Sequence, residues 1–206
     1  MGYGFLDIMA TPAVRAAQAA MGSDRTWTNF KGHREFDRLG TDEIAFIADQ
    51  DHLYMATVGE TGWPYVQHRG CKAGFVKVID ATTLAFPDYR GNRQYISVGN
   101  LSADDRVALI LVDYPRRARM KILGRVEIVS AAERPDVAAI VLDPDDKAKV
   151  ERIMILHLVT FDWNCPQHIT PRFTEAEVGQ AIKPLMDHVA ALEAEVAALR
   201  AQLGQS

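Results

Sequence analysis

Short apolar segments separated by turns occupy the chain from Leu53 to Phe161, and this order most constrains the fold. The segments that we predict as strands are 53–58, 63–69, 75–79, 83–86, 106–114, 120–129 and 153–161. Most are joined by short turns, which suit antiparallel neighbours, and only two short helical segments, 94–101 and 135–142, intervene. The pattern predicts a mainly β fold, an antiparallel barrel or sandwich with peripheral helices, and excludes a βαβ fold.

The predicted helices lie mostly at the two ends of the chain. Thr11-Pro12 is a typical helix start, and a helix is expected over 13–21 with Gly22 after its end. Acidic residues after Thr41 predict a second helix that runs to about Gln50. Within the strands, Pro87 is expected to end a strand and Gly124 to mark a bulge or a close approach of the backbone.

Composition narrows the class of protein. With 206 residues, 48% of them hydrophobic, the chain can bury one sizeable core. A net charge of -4 does not favour nucleic acid or an anionic membrane. The first ten residues lack the pattern of a signal peptide and no stretch approaches the roughly 18 apolar residues of a membrane span, so we expect a soluble cytoplasmic protein. Basic residues nevertheless cluster in one region, at Arg90, Arg93, Arg116, Arg117, Arg119, Lys121 and Arg125. Such a cluster suits a small anionic ligand.

The C-terminal segment carries a different pattern. Apolar residues follow heptad spacing at Leu185, Val189, Leu192, Val196, Leu199 and Leu203. Pro184 stands where a helix can start. Two interpretations remain open, an amphipathic helix packed on its own barrel and a helix paired with its copy in a dimer. We expect an N-terminal helical extension over 1–40, a barrel domain over 41–175 and this helix over 176–206.

Two polar segments are candidates for ligand binding. In the predicted strand 63–69, alternation places Gln67 and Arg69 on one face and Val66 and His68 on the other. This strand is either a ligand-facing strand or a solvated edge strand. The turn that follows Phe86 presents Arg90, Asn92 and Arg93 before a short helix. Arginine forks and helix N–H groups suit a phosphate, although the same segment is also compatible with an ordinary polar loop.

A third segment, 163–172, contains Cys165 and His168, with His157 upstream. Its spacing matches no strong zinc pattern, so we predict no metal site and favour a packed loop. The chain has neither a Gly-rich phosphate loop nor a nucleophile elbow, and no catalytic residue is identified.

Taken together, these segments resemble the pyridoxamine 5′-phosphate oxidase-like superfamily of FMN-binding split barrels, and specifically its oxidase-related branch. The resemblance covers about Asp42 to Phe173. It is carried in order by GWPYVQHRG, FPDYRGNRQYISVGNL before RVALILVDY, MKILGRVEIV and WNCPQHITPRF.

The resemblance implies a split β-barrel, a homodimer and FMN bound at the subunit interface. It places Gln67, His68 and Arg69 beside the flavin and its ribityl phosphate. The phosphate loop of the family matches the segment with Arg90, Asn92 and Arg93. Further cofactor contacts are implied for Arg119, Lys121, Trp163, Gln167 and Arg172, the last three from the partner subunit.

The chain departs from the family where true oxidases carry an Arg-Leu-His type segment for the substrate. Here that stretch reads 167–172, QHITPR, so the oxidase substrate is not transferred. The resemblance therefore implies a flavin-dependent oxidoreductase with an unidentified small-molecule substrate. Alternatives are a flavin store, sensor or electron carrier without turnover, or a split barrel that uses FAD, F420 or haem.

Overall fold

A computed structural model of the protein describes residues 4–28, 36–163 and 167–204. The chain divides into two compact units. The first contains the described residues up to Asp113 and those from Ala118 to Gln167, and the second contains Tyr114–Arg117 and the residues from His168 onward.

The described residues form seven strands and seven helices. The strands are β1 (His52–Val58), β2 (Pro64–Gly70), β3 (Lys77–Asp80), β4 (Thr83–Tyr89), β5 (Arg106–Asp113), β6 (Ala118–Val129) and β7 (Val150–Trp163). The helices are α1 (Phe5–Met9), α2 (Pro12–Ala20), α3 (Asp24–Thr28), α4 (Thr41–Asp49), α5 (Ile96–Ala103), α6 (Pro135–Val141) and α7 (Glu175–Leu203). None of the helices in these ranges has the length and apolar character needed to cross a membrane.

All seven strands join one sheet in the order β2-β1-β5-β6-β7-β4-β3, and every pairing is antiparallel. The predicted hairpins are confirmed, since β1 pairs with β2 and β3 with β4. The mainly β split-barrel fold with peripheral helices and a C-terminal helix is likewise confirmed.

Side-chain alternation builds a separate core on each face of the sheet. On β4, Leu84 and Phe86 enter the larger core with Phe46 and Ile47 of α4. Ala85, the residue between them, faces a smaller core beneath α6. The same two-residue period divides β7 between the two cores.

The starts of α2 and α4 are capped at the residues that predicted these helices. The Thr11 side chain accepts a hydrogen bond from the Val14 amide at 3.4 Å, at the start of α2. At the start of α4, the Glu43 carboxylate accepts from the Gly40 amide at 2.9 Å. Each cap satisfies a backbone donor that the helix itself leaves unpaired, so these helices begin where the sequence signals them.

Two predictions about proline are wrong. Pro87 does not end its strand, because β4 continues to Tyr89 and Pro87 pairs with Ile153. β3 pairs with β4 only as far as Ala85, so a proline beyond that point costs no bond to β3. Pro184 does not start the last helix but lies inside α7, which begins after the capping residue Thr174. The predicted bulge at Gly124 is confirmed in the pairing of β6 with β7.

Candidate functional site

A cleft of about 270 Å³ lies in the first unit, bounded by β2, the end of β4, the following loop and the start of α5. Six of the residues that we predicted as cofactor contacts line it: Gln67, His68, Arg69, Arg90, Asn92 and Arg93. Residues that are distant in sequence therefore meet at one place. Arg152 of β7 also lines the cleft.

A buried carboxylate holds two of the cleft arginines. Asp88 is 5% exposed, and its two oxygens accept from Arg69 Nη1 at 2.6 Å and from Arg152 Nε at 2.8 Å. Asp88 and Arg152 are register partners on β4 and β7, whereas Arg69 reaches Asp88 from β2. Charge-assisted bonds of this kind orient a guanidinium firmly.

Gln67 is fixed by the same cluster. Its Oε1 accepts from Arg69 Nη2 at 3.1 Å and from the buried Ser97 Oγ at 2.7 Å. Both bonds use the carbonyl oxygen, which orients the amide and leaves its Nε2 as a donor without an acceptor among the described residues. The half-buried Gln67 and Arg69 alternate with the exposed Val66 and His68, as predicted for this strand.

The loop after β4 has an unusual backbone. Arg93 and Tyr95 adopt positive φ angles of 64° and 53°. Such angles are uncommon for residues other than glycine and carry strain of about 1–3 kcal/mol each, which clusters at functional sites. Asn92 stabilises the turn, because its Oδ1 accepts from the Gln94 amide at 3.1 Å. Among the described residues, no hydrogen bond or ion pair engages the exposed Arg93 side chain.

Glu151 organises the other side of the loop. Its carboxylate accepts from Arg90 Nε at 2.7 Å and from Arg152 Nη2 at 3.1 Å. The hydrogen bond from Arg90 lowers the pKa of Glu151, so this carboxylate remains ionised at neutral pH. The Arg152 guanidinium also lies 4.9 Å from the centre of the Tyr95 ring, in a cation–π contact.

The charges of this cluster do not cancel. Four guanidinium groups, those of Arg69, Arg90, Arg93 and Arg152, face two carboxylates, those of Asp88 and Glu151. Two positive charges are therefore left over at the cleft. The Nε of Arg69 is buried and has no hydrogen-bond partner among the described residues. Buried donors are normally satisfied, so this orphan is consistent with a ligand acceptor that the protein itself does not supply.

His68 presents its ring in a different way. The ring is exposed and stacks on His52, with ring centres 5.7 Å apart and planes 19° apart. Tyr54 meets the same ring edge-on at 5.5 Å. His68 thus borders the cleft as part of an aromatic cluster.

Of the five other predicted contacts, four belong to the first unit, and none of these four lines the cleft. Lys121 forms an ion pair with Asp162 at 2.9 Å. Arg119 has a buried Nε without a hydrogen-bond partner among the described residues. Trp163 Nε1 donates to Glu43 at 2.8 Å, and Gln167 is exposed.

Arg172 belongs to the second unit, where its guanidinium lies 5.0 Å from the centre of the Tyr114 ring. Cys165, considered above as a metal ligand, lies outside the described residues.

The sequence did not reveal four members of the cluster: Asp88, Tyr95, Ser97 and Arg152. Arg152 directly precedes the strand that we predicted from residue 153, but β7 begins at Val150 and includes it. Only the register between β4 and β7 brings Arg152 to Asp88. A polar residue in a turn, in a short helix or next to a strand is an ordinary feature, so these positions gave no separate signal.

Several solved structures are similar in fold to this chain. A solved structure of HupZ from Group A Streptococcus is 15% identical, with a TM-score of 0.47 over 66% of this chain and 99% of that one. An FMN-binding protein from Syntrophomonas wolfei is 10% identical, with a TM-score of 0.45 over 58% and 81% of the two chains. An F420 reductase is 21% identical, with a TM-score of 0.41 over 57% and 94%.

No curated protein sequence matches the chain. The family model of pyridoxamine 5′-phosphate oxidase matches residues 41–152, which is more than half of the chain and includes every residue that lines the cleft. This chain therefore belongs to the pyridoxamine 5′-phosphate oxidase family.

Proposed function

We propose that the cleft binds the phosphate and ribityl end of FMN, and that the protein is a flavin-dependent oxidoreductase acting on a small molecule. The observation that carries this proposal is the Arg93 side chain, which lines the cleft and has no protein partner among the described residues. Membership of the family supports FMN as the ligand.

The charge at the cleft fits a phosphate group. A phosphate monoester carries about -1.5 to -2 charges at neutral pH, which matches the surplus of two positive charges. Arg93 is available for such an anion, and the side chain of Arg90 is bonded, among the described residues, only through its Nε to Glu151, which leaves its terminal N–H groups for a ligand. A planar guanidinium can bind two phosphate oxygens at once.

The residues deeper on β2 suit the polar parts of the cofactor. Gln67 offers its Nε2 as a donor, and the buried Nε of Arg69 lacks an acceptor among the described residues. Asp88 holds Arg69 in place, so its positive charge needs little reorganisation when a negative charge develops nearby. FMN, when bound, supplies the electron-transfer chemistry, while these side chains orient it and tune its charge.

We further propose that a second subunit completes the site, with Trp163, Gln167 and Arg172 as its contribution. This proposal rests on the family resemblance.

The test is flavin binding to the Arg93→Ala variant, prepared free of cofactor and titrated with FMN and with riboflavin. Loss of one charge-assisted contact should weaken FMN binding about tenfold or more and leave riboflavin binding nearly unchanged, because riboflavin lacks the phosphate. Arg15→Ala, on the exposed surface of α2, is the matched control. Unchanged FMN affinity in Arg93→Ala would refute the assignment of this cleft to the phosphate.

Two further measurements separate the function from its alternatives. An absorption spectrum of protein purified without added cofactor, with mass identification of the released ligand, distinguishes FMN from FAD, F420 and haem. Oxidation of NAD(P)H in air by the flavin-loaded protein distinguishes an oxidoreductase from a flavin store. An absence of turnover with every donor and acceptor would leave flavin binding and remove the enzymatic part of the proposal.

A further inference from the structure

Helix α7 is 29 residues long, and none of its residues is buried. It spans about 43 Å at 1.5 Å per residue. One stripe of this helix is apolar along almost its full length. The residues of the stripe are Val178, Ile182, Leu185, Val189, Leu192, Val196, Leu199 and Leu203, each at least 39% exposed.

The stripe follows heptad spacing through more than three repeats. The structure starts α7 at Glu175, so Val178 and Ile182 extend the pattern that begins at Leu185 in the sequence. In the notation of coiled coils, Ile182, Val189 and Val196 occupy position a, and three leucines occupy position d. In parallel coiled coils, β-branched residues at a with leucine at d favour two helices over three or four.

The flanking charges are complementary in the same arrangement. In a parallel pair, position g of one helix faces position e of the next heptad in the other, five residues later. Glu195 therefore faces Arg200, and His188 faces Glu193, twice each by symmetry. No pair of like charges meets at these positions.

The proline in the helix is compatible with this pairing. Pro184 occupies position c, which faces away from the partner in a coiled coil. Its ring removes one backbone hydrogen bond, but the apolar stripe continues on both sides of it.

We propose that α7 forms a parallel, in-register, two-stranded coiled coil with α7 of a second copy of this chain. This pairing involves no residue of the cleft and does not depend on FMN binding. It gives the chain a means of self-association that is separate from any contact between barrels.

Single cysteine substitutions in the full-length protein test the pairing. A disulfide needs Cα atoms within about 7 Å, a condition that two identical a positions meet only in register. Val189→Cys and Val196→Cys should each form a disulfide-linked dimer under mild oxidation. Ala194→Cys, at the outward position f, is the matched control and should not. Peptide mapping assigns the linkage, because Cys71 and Cys165 are also present.

An antiparallel pair can join identical residues at only one level, so disulfides at both 189 and 196 require the parallel arrangement. Linkage at neither position, or equal linkage in Ala194→Cys, would overturn the proposal, provided that the thermal unfolding of the variants matches that of the original protein. Loss of FMN binding in Arg93→Ala would not alter this result.

Charge reversal supplies a second measurement. In the Val196→Cys background, Glu195→Arg and Arg200→Glu should each lower the yield of linked dimer, because each places like charges opposite one another. The two reversals together should restore it. A double variant as poor as either single variant would contradict the parallel register.

Discussion

Arg69 Nη1 lies 2.6 Å from Asp88 Oδ1, although β2 and β4 stand near opposite ends of the sheet order. Hydrogen bonds between backbones do not join these strands, so side chains bring the two ends of the sheet together. A further contact supports this closure, since Cys71 Sγ, next to β2, lies 3.1 Å from the Tyr89 hydroxyl of β4. The candidate site therefore lies at the split of the barrel, between β2 and β4, where the strands are not joined by backbone hydrogen bonds and side chains can contact a ligand.

Replacing Asp88 should destabilise the cofactor-free protein strongly. Asp88→Asn removes a negative charge from between two arginines whose side chains are 10% and 26% exposed. Breaking a buried ion pair on one side typically costs about 3–5 kcal/mol. We expect a decrease of this size in the free energy of unfolding, measured by urea denaturation.

Asp162→Asn is the control for that substitution. Asp162 pairs with Lys121 at 2.9 Å, with both side chains about one-third exposed. A partly exposed ion pair contributes about 0–1 kcal/mol to the free energy of unfolding. Equal losses in the two variants would contradict a structural role for the Asp88 cluster.

Replacing Ser97 should loosen Gln67. Ser97→Ala removes the 2.7 Å hydrogen bond to Gln67 Oε1 at a residue that is 3% exposed. The expected loss is about 1 kcal/mol in the free energy of unfolding. Ser102→Ala, at an exposed serine of the same helix, should change it by less than about 0.5 kcal/mol. A Ser97→Ala variant as stable as Ser102→Ala would show that this bond contributes little.

Adding one methyl group at the β6 bulge should destabilise the sheet. A Cβ at Gly124 would lie 2.8 Å from the His157 carbonyl oxygen and 2.8 Å from Leu156 Cδ2. Gly124→Ala should therefore lower the free energy of unfolding by about 1–3 kcal/mol. At Gly99, inside α5, a Cβ meets no atom within 4 Å, so Gly99→Ala should be neutral or slightly stabilising. Thermal unfolding of the two variants checks the contrast.

Acid should remove the contribution of Asp104 to stability. Hydrogen bonds from Arg106 lower the pKa of Asp104 from 3.8 to about 2. A carboxyl group that is more acidic in the folded protein stabilises it above its ordinary pKa, and this stabilisation is lost as the pH falls toward the lower value. At neutral pH, the free energy of unfolding should therefore be higher for the original protein than for the Asp104→Asn variant.

The difference between these two proteins should shrink between about pH 4 and pH 2, as followed by urea denaturation at each pH. A difference that stays constant over this range would show that it does not arise from ionisation of Asp104.

The sequence predicted the strands of this fold more completely than the site. Alternation and turn residues located all seven strands, because each follows from local side-chain chemistry. Arg90 and Arg93 were identifiable because arginine forks beside a turn suit a phosphate, although the same pattern also fits an ordinary polar loop. Arg152 was not, because its role depends on lying opposite Asp88 in the register of β4 and β7.

The errors at proline have a common physical origin. Proline has no backbone N–H group. Its cost to stability therefore depends on whether a carbonyl group lies where it would otherwise accept a hydrogen bond from that position. At Pro87 no strand of the described residues pairs with β4 on the β3 side, and at Pro184 the helix loses one bond. Neither circumstance can be judged from local sequence alone.

Pro87 also has a consequence for how the last part of β4 can be buried. Pro87 and Asp88 are both buried, and β3 pairs with β4 at neither position. A buried backbone N–H group needs an acceptor, and proline has no N–H group to satisfy. The residue that seemed to end the strand instead lets it continue into the protein interior with one donor fewer to pair.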